Sequence, residues 1–507
     1  MKEEKIVIEK SDKCDLFSIN DIYDTRSAIC DLFQNESDLT IAVIAYNRLD
    51  VTIKCIENIL KYTTDYNYKL ILAYNDNKNG SGILEYFRQV NYENKCIIHI
   101  TENAGAPFAY QMIYKHIEGK YFVHLPNDVM VTKNWLNNLI KCAESDKKIG
   151  MVTPVSSNVS NYQMVELPFS NEDEMQQAAS EYNLSDPVKW QERLRIVTLG
   201  SLFTRECLMA IGPILDCGFM HDFGDDDVSF RVRRAGYKTI LARDTWIHHN
   251  HDIFDGKSRN PADVQKSLDI GRKNFQDKYY GIDAWDDVNN FIFPYVEEHI
   301  DMPSDCENVK ILGIDVRCGT PILDIKNIIR QYGIYDPETS AFTQHSKYDI
   351  DLRTICSGNV ICGGISHICN YFDSNQFDYI VIGNDINTYA DPEKVINDIY
   401  LLLKSGGQLF ISLKNTRNVF VLLNMLGYDV NFADSCVNMT IDSLLEEMNR
   451  KNINIDLISN EPFQMDHTVS NYVNDLINMS SPQGTSKNMI RNKLMTDRYR
   501  FKIVKRI

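Results

Sequence analysis

Runs of apolar residues separated by amphipathic stretches divide most of the chain into alternating strands and helices. The segment LTIAVIAY (39–46) is a continuous apolar run, which predicts a strand buried on both faces. The segment VTIKCIENILKY (51–62) carries its apolar residues at helical spacing. Further buried strands are predicted at 68–76, 95–103 and 120–128. This alternation predicts a parallel, doubly wound α/β sheet whose strand-to-helix loops lie at one edge.

A second alternation of the same kind begins at Val309. VKILGIDV predicts a strand, and PILDIKNIIRQYG predicts a helix that ends at Gly333. FDYIVIGND predicts another buried strand, and a helix with Pro392 in its first turn leads to the strand QLFISL. The polar stretch EEHIDMPSDCEN is a plausible linker. We therefore predict a lead-in at 1–38, one α/β domain at 39–300, a Rossmann-like domain at 301–486 and a basic tail at 487–507.

Composition agrees with two globular domains and excludes several classes of protein. The chain has 507 residues, 44% hydrophobic and 24% charged, which excludes a disordered chain, a collagen-like fibre and a disulfide-rich mini-protein. With 53 basic and 70 acidic residues, the net charge is −17. The overall field of such a chain does not attract nucleic acid or anionic lipid, and we expect no nucleic-acid partner.

The spacing of the cysteines and the length of the apolar runs indicate where in the cell the protein is expected. The 13 cysteines are scattered without a CxxC pair, as expected of reduced thiols in a cytoplasmic protein. The charged N-terminus MKEEKIVIEK has no apolar signal region, and no apolar run approaches the ~18 residues of a membrane span. From Lys487 to Arg506 there are eight basic residues and one acid, Asp497. This segment either folds back on an acidic surface or contacts an acidic protein or membrane edge.

Polar residues follow four predicted strands of the first domain. They converge on one crevice if the sheet is parallel, although each alone also suits an ordinary loop. A carboxylate such as Asp128 at this edge can hold a divalent cation. These residues are Tyr46, Asn47, Arg48, Asp76, Asn103, Gly105, Asn127 and Asp128.

Two further segments contain residues suited to chemistry. FGDDDVSFRVRRAGY (223–237) has three adjacent aspartates. Capping of the following helix accounts for one or two of them, which leaves one as a base or a ligand organiser. TWIHHNH (245–251) has three histidines after a predicted strand, where metal binding and a structural role are both open.

The order of these segments resembles inverting family-2 glycosyltransferases with the GT-A fold over residues 38–280. TIAVIAYNRLDVTIKCIENIL resembles their opening strand, and LAYNDNKNGSG the strand whose acid binds the nucleotide. HITENAGAPFAYQ resembles the segment under the donor, and YFVHLPNDVMV occupies the place of the Asp-x-Asp metal motif. LGSLFTRECLMAIGPI, FGDDDVSFRVRRAGY and WIHHNH are similar to the acceptor-side stretch, the block with the catalytic base and the closing metal histidine.

The resemblance implies a role for each candidate residue. Asp225 matches the catalytic base, with Asp226 and Asp227 left open by the triplet. Asp128 and His249 match the metal ligands, with His248 as the alternative histidine. Two positions depart from the pattern, because Pro126 stands for the first acid of Asp-x-Asp and Gly224 for the glutamate before the base. The residues matched to donor binding are Tyr46, Asn47, Arg48, Asp76, Asn103, Gly105 and Asn127, and Asp76 matches the acid that contacts uracil or ribose.

The implied activity is transfer of a sugar, with inversion, from a nucleotide sugar to a hydroxyl group. The donor expected from the family is UDP-linked, for example UDP-N-acetylglucosamine, with Mn²⁺ or Mg²⁺ assisting departure of the diphosphate. The expected acceptor is a bacterial surface glycan or a protein such as flagellin.

The second domain resembles Rossmann-type S-adenosylmethionine methyltransferases in VKILGIDVRCGTP and in residues 377–413. The Gly-x-Gly-x-Gly loop of that family reads Arg317-Cys318-Gly319-Thr320-Pro321 here, and Asp336 and Glu338 are the candidate ribose-binding acids. A long arginine and a rigid proline crowd such a site, so we expect weak binding of S-adenosylmethionine or none. We expect this domain to bind the acceptor or form a homodimer contact. The rival readings are a bifunctional glycosyltransferase and methyltransferase, and a catalytically inactive scaffold.

Overall fold

The chain divides into two compact units, residues 1–288 and 289–507. The computed structural model describes residues 5–9, 37–75, 81–100, 105–114, 116–216, 218–219, 222–250, 260–425, 436–463, 467–480 and 486–506. We expected the boundary near residue 300, twelve residues later. The segment before it belongs to unit 2 because the backbone amides of Ile292 and Phe293 both donate to the Asp324 carboxylate, at 2.6 and 3.3 Å.

The first unit alternates strands and helices as the apolar pattern predicts. Its strands are β1 (Lys5–Glu9), β2 (Leu39–Ala45), β3 (Tyr68–Asn75), β4 (Lys95–Ile100), β5 (Tyr121–Pro126), β6 (Val129–Met130), β7 (Ile149–Ser156), β8 (Trp190–Glu192), β9 (Leu202–Thr204) and β10 (Lys238–His249). Its helices are α1 (Leu49–Tyr62), α2 (Ile83–Gln89), α3 (Ala106–Tyr114), α4 (Trp135–Glu144), α5 (Glu172–Tyr182), α6 (Arg205–Ile211), α7 (Gly224–Arg234) and α8 (Pro261–Lys278).

In the described part of unit 1 these strands form one mixed sheet. The order is β1-β4-β3-β2-β5-β9-β7-β10-β6, and β8 pairs with β10 outside this path. The strands β1 to β5, β7 and β10 run in one direction, while β9 is antiparallel to both of its neighbours and β6 is antiparallel to β10. Strand β1 lies in the predicted polar lead-in and pairs with β4.

The continuous apolar run of β2 is explained by burial on both faces of the sheet. Leu39, Ile41 and Val43 pack into one hydrophobic cluster, while the intervening Ala42 packs into a second one. Each strand therefore serves two helical layers, as alternation of side chains across a strand requires.

The second unit is also built on a largely parallel sheet. Its strands are β11 (Lys310–Ile314), β12 (Glu338–Thr343), β13 (Val360–Cys362), β14 (Phe377–Asp385), β15 (Leu403–Lys414), β16 (Asn454–Pro462) and β17 (Thr496–Val504). Its helices are α9 (Phe293–Val296), α10 (Thr320–Arg330), α11 (Asp349–Arg353), α12 (Pro392–Leu402), α13 (Val419–Met425), α14 (Ile441–Arg450), α15 (His467–Ser480) and α16 (Lys487–Met495). The order β13-β12-β11-β14-β15-β17-β16 contains the doubly wound Rossmann-like arrangement, which confirms the predicted fold class.

The basic C-terminal segment is part of this sheet and not a separate tail. Strand β17 lies between β15 and β16 and is antiparallel to both. Its cations face acids of the same unit, with Arg498 Nε 2.6 Å from Asp385 and Lys502 Nζ 2.5 Å from Asp301. Of the two readings of this segment, the structure has it folded back on acidic residues. Across the described ranges, no helix combines the length and the hydropathy needed to span a bilayer.

Candidate active site

One edge of the first sheet collects most of the candidate residues. Because β2, β5, β7 and β10 run in the same direction, the residues that follow them share an edge. Strand β9 is antiparallel, so the residues that precede it reach this edge too. Two candidates, Asp76 and Asn103, lie outside the described residues, as does His251.

The loops after β2 and β5 are joined by the side chain of Asn127. Its amide nitrogen donates to the Asn47 carbonyl and to the Thr52 hydroxyl, both at 2.7 Å. Arg48 begins α1 with a left-handed backbone (φ 64°), and its guanidinium contacts Asp50 at 3.1 Å. Tyr46 is 38% exposed. Asn127 therefore shapes this edge by holding two loops together.

Gly105 lies at the start of α3, where the resemblance places the donor. Its carbonyl accepts a hydrogen bond from the amide of Ala109 at 3.3 Å, and its φ is +85°. A side chain is disfavoured in this conformation, which explains a glycine at the point where the chain enters the helix.

Asp128 and His249 are brought together by a short antiparallel ladder between β6 and β10. Val129 pairs with His249, so the residue that precedes β6 lies beside the end of β10. The Asp128 Oδ2 and His249 Nε2 atoms are 3.4 Å apart. His249 Nδ1 is 3.0 Å from the Asn158 carbonyl, which can only accept, so Nδ1 carries the proton. In the neutral ring the lone pair of Nε2 then points toward the carboxylate, and only the protonated ring can donate a hydrogen bond to it.

This arrangement fits a divalent cation. Burial lowers the pKa of His249, but the hydrogen bond and charge of Asp128 and the Asn158 carbonyl outweigh burial and raise it. A positive charge between the imidazole and the carboxylate is therefore favourable, and a cation supplies one without protonation. The carboxylate oxygen suits Mn²⁺ or Mg²⁺, and the imidazole nitrogen favours Mn²⁺ of the two. Among the described residues no group of three His, Cys, Asp or Glu side chains is placed to hold a metal, and Asp128 and His249 form a pair.

His248 has a different environment from its neighbour. Its Nδ1 atom is 2.9 Å from the Ser157 hydroxyl, and its ring packs edge-on against Phe169 at 5.3 Å. Burial, together with His249 and Lys54, lowers the pKa of His248 to about 4. The two histidines alternate along β10, so only His249 faces Asp128.

The three aspartates of α7 have three different environments. Asp227 is fully buried and contacts Lys278 Nζ at 2.6 Å and Arg231 Nε at 2.7 Å. The Tyr279 hydroxyl donates to its Oδ1 at 2.7 Å. Asp227 therefore joins α7 to the end of α8. The helix begins after Phe223 without a side-chain cap, so capping does not explain the triplet.

Asp226 is also buried and forms an ion pair with Arg195. Burial raises the pKa of Asp226 to about 6, with Arg195 opposing the shift. Its contacts join α7 to the segment before β9. Asp226 is an alternative candidate for the base, but these contacts indicate a structural role.

Asp225 is half-buried and has uncharged partners. The backbone amide of Thr198 donates to its Oδ1 at 3.0 Å, and the Thr198 hydroxyl donates to the same oxygen. Among the residues that the structure describes, no cation pairs with Asp225 and none donates to its Oδ2. Of the three carboxylates, Asp225 is the one whose charge is not already offset, which is the condition a general base requires.

The sequence did not identify Thr198 or Arg195. Both lie in the stretch RLRIVTLGS, and although VTLGSLFTREC predicts a strand entering a helix, nothing in this pattern indicates a contact with the aspartates. Their positions follow from β9 running against its neighbours, and we found no signal in the chain that predicts this reversal.

The predicted cofactor loop of unit 2 packs against neighbouring residues of the same unit. Gly319 has φ +105°, and a Cβ added there would lie 2.3 Å from Ile355 Cδ1, so packing alone explains this glycine. The Asp315 carboxylate accepts from the Gln344 amide and the Tyr389 hydroxyl, both at 2.8 Å. Glu338 pairs with Lys310 at the start of β11. Glu338 and the preceding Asp336 thus lie at the opposite edge of the sheet from this loop, which is wrong for a ribose-binding acid.

Comparisons with known proteins found one matching family model and several solved structures of low sequence identity. Residues 40–196 match the family model for glycosyl transferase family 2, and no curated protein sequence matches the chain. Similar solved structures include GalNAc-T7 with UDP, GalNAc and Mn²⁺ (11% identity, TM-score 0.34, 43% of this chain and 44% of that one). The mannosyltransferase PcManGT from Pyrobaculum calidifontis in complex with GDP-Man and Mn²⁺ aligns at 14% identity (TM-score 0.33, 51% of this chain and 78% of that one).

A methyltransferase is similar as well. A SAM-dependent methyltransferase from Archaeoglobus fulgidus aligns at 14% identity (TM-score 0.26, 50% of this chain and 98% of that one). The chain spans less than half the length of GalNAc-T7. Asp225 and His249 lie beyond the segment that the family model matches. Within that segment, residues 40–196, the chain contains a glycosyltransferase family 2 domain.

Proposed function

We propose that this protein transfers a sugar from a nucleotide sugar to an acceptor hydroxyl with inversion at the anomeric carbon. The observation that carries the proposal is the contrast within the aspartate triplet. Asp226 and Asp227 each pair with cations, whereas Asp225 receives only uncharged donors from Thr198. The match of residues 40–196 to the glycosyl transferase family 2 model supports this interpretation.

In the proposed reaction Asp225 accepts the proton of the acceptor hydroxyl. As this proton leaves, the oxygen attacks the anomeric carbon from the face opposite the leaving diphosphate, and the configuration inverts. Asp128 and His249 would hold a divalent cation, which offsets the charge that develops on the diphosphate. Asn127 keeps the loops after β2 and β5 in place beside this pair.

The donor and acceptor are proposed from the family resemblance. We propose a UDP-linked donor such as UDP-N-acetylglucosamine, and an acceptor hydroxyl on a surface glycan or a protein such as flagellin. Tyr46, Asn47, Arg48 and Gly105 remain proposed donor contacts, together with Asp76 and Asn103. The scattered cysteines and the absence of a CxxC pair are the basis for proposing a cytoplasmic location.

For the second unit we propose acceptor binding or a homodimer contact. The packing of Ile355 against Gly319 and the hydrogen bonds that Asp315 already accepts within the unit count against S-adenosylmethionine as a cofactor. These contacts disfavour the bifunctional reading more than the scaffold reading.

The direct test is a thermal-shift screen of nucleotide sugars with and without Mn²⁺, followed by an assay of nucleotide release. A ligand that binds only the native state at 100 times its dissociation constant stabilises it by about 2.7 kcal/mol, so a true donor raises the melting temperature. We expect one UDP-sugar to do so in the presence of Mn²⁺ and to release UDP. Binding without nucleotide release under any condition, with acceptor glycans supplied, would favour the inactive scaffold.

A further inference from the structure

The hydrogen bonds described for the carboxylate of the proposed base come from one residue, Thr198. Its amide and its hydroxyl both donate to Asp225 Oδ1. Two donors on one oxygen fix the plane of a carboxylate, because rotation of the group breaks both bonds at once. The second oxygen, Oδ2, is then left in a defined direction.

The segment that carries Thr198 is itself held by the loop after β7. The buried side chain of Gln163 donates from Nε2 to the Val197 carbonyl at 3.0 Å and accepts at Oε1 from the Val197 amide at 2.7 Å. Asn161 donates to the Arg195 carbonyl at 2.8 Å. The residues on both sides of Ile196 are therefore tied to this loop through their backbone.

The same loop also holds the proposed metal-binding histidine. The Ser157 hydroxyl accepts from the His249 amide at 3.1 Å, and the Asn158 carbonyl lies 3.0 Å from His249 Nδ1. Residues 156–165 thus bond to His249 near one end and to the Thr198 segment near the other. We call these residues the β7 loop.

Two buried side chains that interact electrostatically with Asp225 do not neutralise its charge. Tyr110 and His124 are buried, and the Tyr110 hydroxyl is 2.6 Å from His124 Nδ1. Burial lowers the pKa of His124 to about 4 although the charge of Asp225 opposes this shift. His124 is therefore neutral at pH 7 and does not neutralise the carboxylate.

We propose that Thr198 is a positioning residue that orients Asp225 so that Oδ2 faces the acceptor hydroxyl, and that Gln163 keeps Thr198 in place. This inference rests on the proposed function. Asp225 is then the residue that reacts, and Thr198 is the residue that orients it. The β7 loop has a role in positioning both His249 and the Thr198 segment.

The test compares Thr198→Val, which removes the hydroxyl and keeps the shape, with Thr198→Ser, which keeps the hydroxyl. Nucleotide release from UDP-N-acetylglucosamine, UDP-glucose and UDP-galactose is measured with Mn²⁺ in the full-length protein. We expect Thr198→Val to lower kcat roughly tenfold with the donor KM unchanged, since misplacement of a reacting group by about 1 Å costs up to 10²-fold. Thr198→Ser should restore kcat to within about twofold.

Gln163→Met tests the second half, because it fills similar space without either hydrogen bond. We expect a fall in kcat in the same direction with the donor KM unchanged. Thr153→Val is the matched control, since the buried Thr153 hydroxyl bonds Ser201 in the same unit and, among the described residues, makes no hydrogen bond to the three aspartates. It should behave as the wild type.

The outcomes distinguish the two claims. An active wild type with Thr198→Val at the same kcat overturns the positioning role and leaves the proposed function standing. A fall in kcat that Thr198→Ser does not rescue, or one that Thr153→Val reproduces, overturns it as well. A wild type that releases nucleotide from none of the three donors overturns both.

Discussion

Replacing the aspartates of α7 one at a time separates stability from turnover. Asp227→Asn removes the charge that faces Lys278 at 2.6 Å and Arg231 at 2.7 Å, at a site with no exposed surface. Lys278 keeps Asp216 at 2.8 Å, but the buried Arg231 is left without a carboxylate, which costs about 3–5 kcal/mol. The entropy of unfolding of a unit of this size is about 0.6 kcal/mol/K, so the cost corresponds to a fall of roughly 5–8 °C in melting temperature.

Asp225→Asn should have the opposite profile. Asparagine retains the Oδ1 atom that accepts from the Thr198 amide and hydroxyl, and no described cation loses a partner. We expect the melting temperature to change little. Turnover should fall by roughly a hundredfold or more, because a general base contributes 10²–10⁴-fold and an amide cannot accept the proton.

The assay pairs thermal unfolding with nucleotide release for both variants, and titration of UDP with Mn²⁺ confirms that Asp225→Asn still binds the nucleotide. Our reasoning is refuted if Asp225→Asn retains more than half of the wild-type turnover. It is equally refuted if Asp225→Asn melts as early as Asp227→Asn, because that result would assign Asp225 a structural role.

Three further predictions concern the metal, the second unit and pH. Activity should vanish in EDTA and return with Mn²⁺, and Asp128→Ala should mimic EDTA while the surface variant Asp146→Ala does not; full activity in EDTA would contradict a metal-assisted leaving group. Titration calorimetry of S-adenosylmethionine into the full-length protein should detect no binding, and a dissociation constant in the micromolar range, about −8 kcal/mol, would promote the bifunctional reading. Acidification should destabilise the protein through His124, because its folded pKa of about 4 lies below the unfolded value near 6.5, so the unfolded state takes up a proton first as pH falls. The loss is about 2 kcal/mol at pH 5, and urea unfolding of His124→Gln at pH 7 and pH 5 should show a loss smaller by that amount.

The apolar pattern was sufficient to predict the strands that frame the site. Buried parallel strands read as continuous runs, and β2, β3, β4 and β5 fall where such runs occur. The convergence of Asn47 and Asn127 follows from the same topology, since both follow parallel neighbours. The periodicity does not predict the direction of β9, which is antiparallel to its neighbours and so brings Thr198 to the site.

The separate roles of the three adjacent aspartates could not be predicted from the sequence for a related reason. The positions of Asp225, Asp226 and Asp227 differ by one residue, so on a helix they point about 100° apart and meet different neighbours. Those neighbours are Thr198, Arg195 and the residues of α8, which come from segments distant in the chain. Only the tertiary structure shows which environment each aspartate has. The basic C-terminal segment is a second example, because its charge alone does not predict that β17 pairs with β15 and β16.

The substitution of Pro126 for an acid changes what the proposed metal site must do. Pro126 ends β5 beside Ile44, and the next two residues divide the remaining tasks, with Asn127 joining loops and Asp128 facing His249. The described pair, one carboxylate and one imidazole that binds a metal in its neutral form, carries a single negative charge, which is too little to neutralise a divalent cation. The diphosphate of a nucleotide would supply the rest of the charge and of the ligands. A pair of this composition therefore favours a cation that arrives with its nucleotide, so that donor and metal occupy the edge of the sheet together and neither does so well alone.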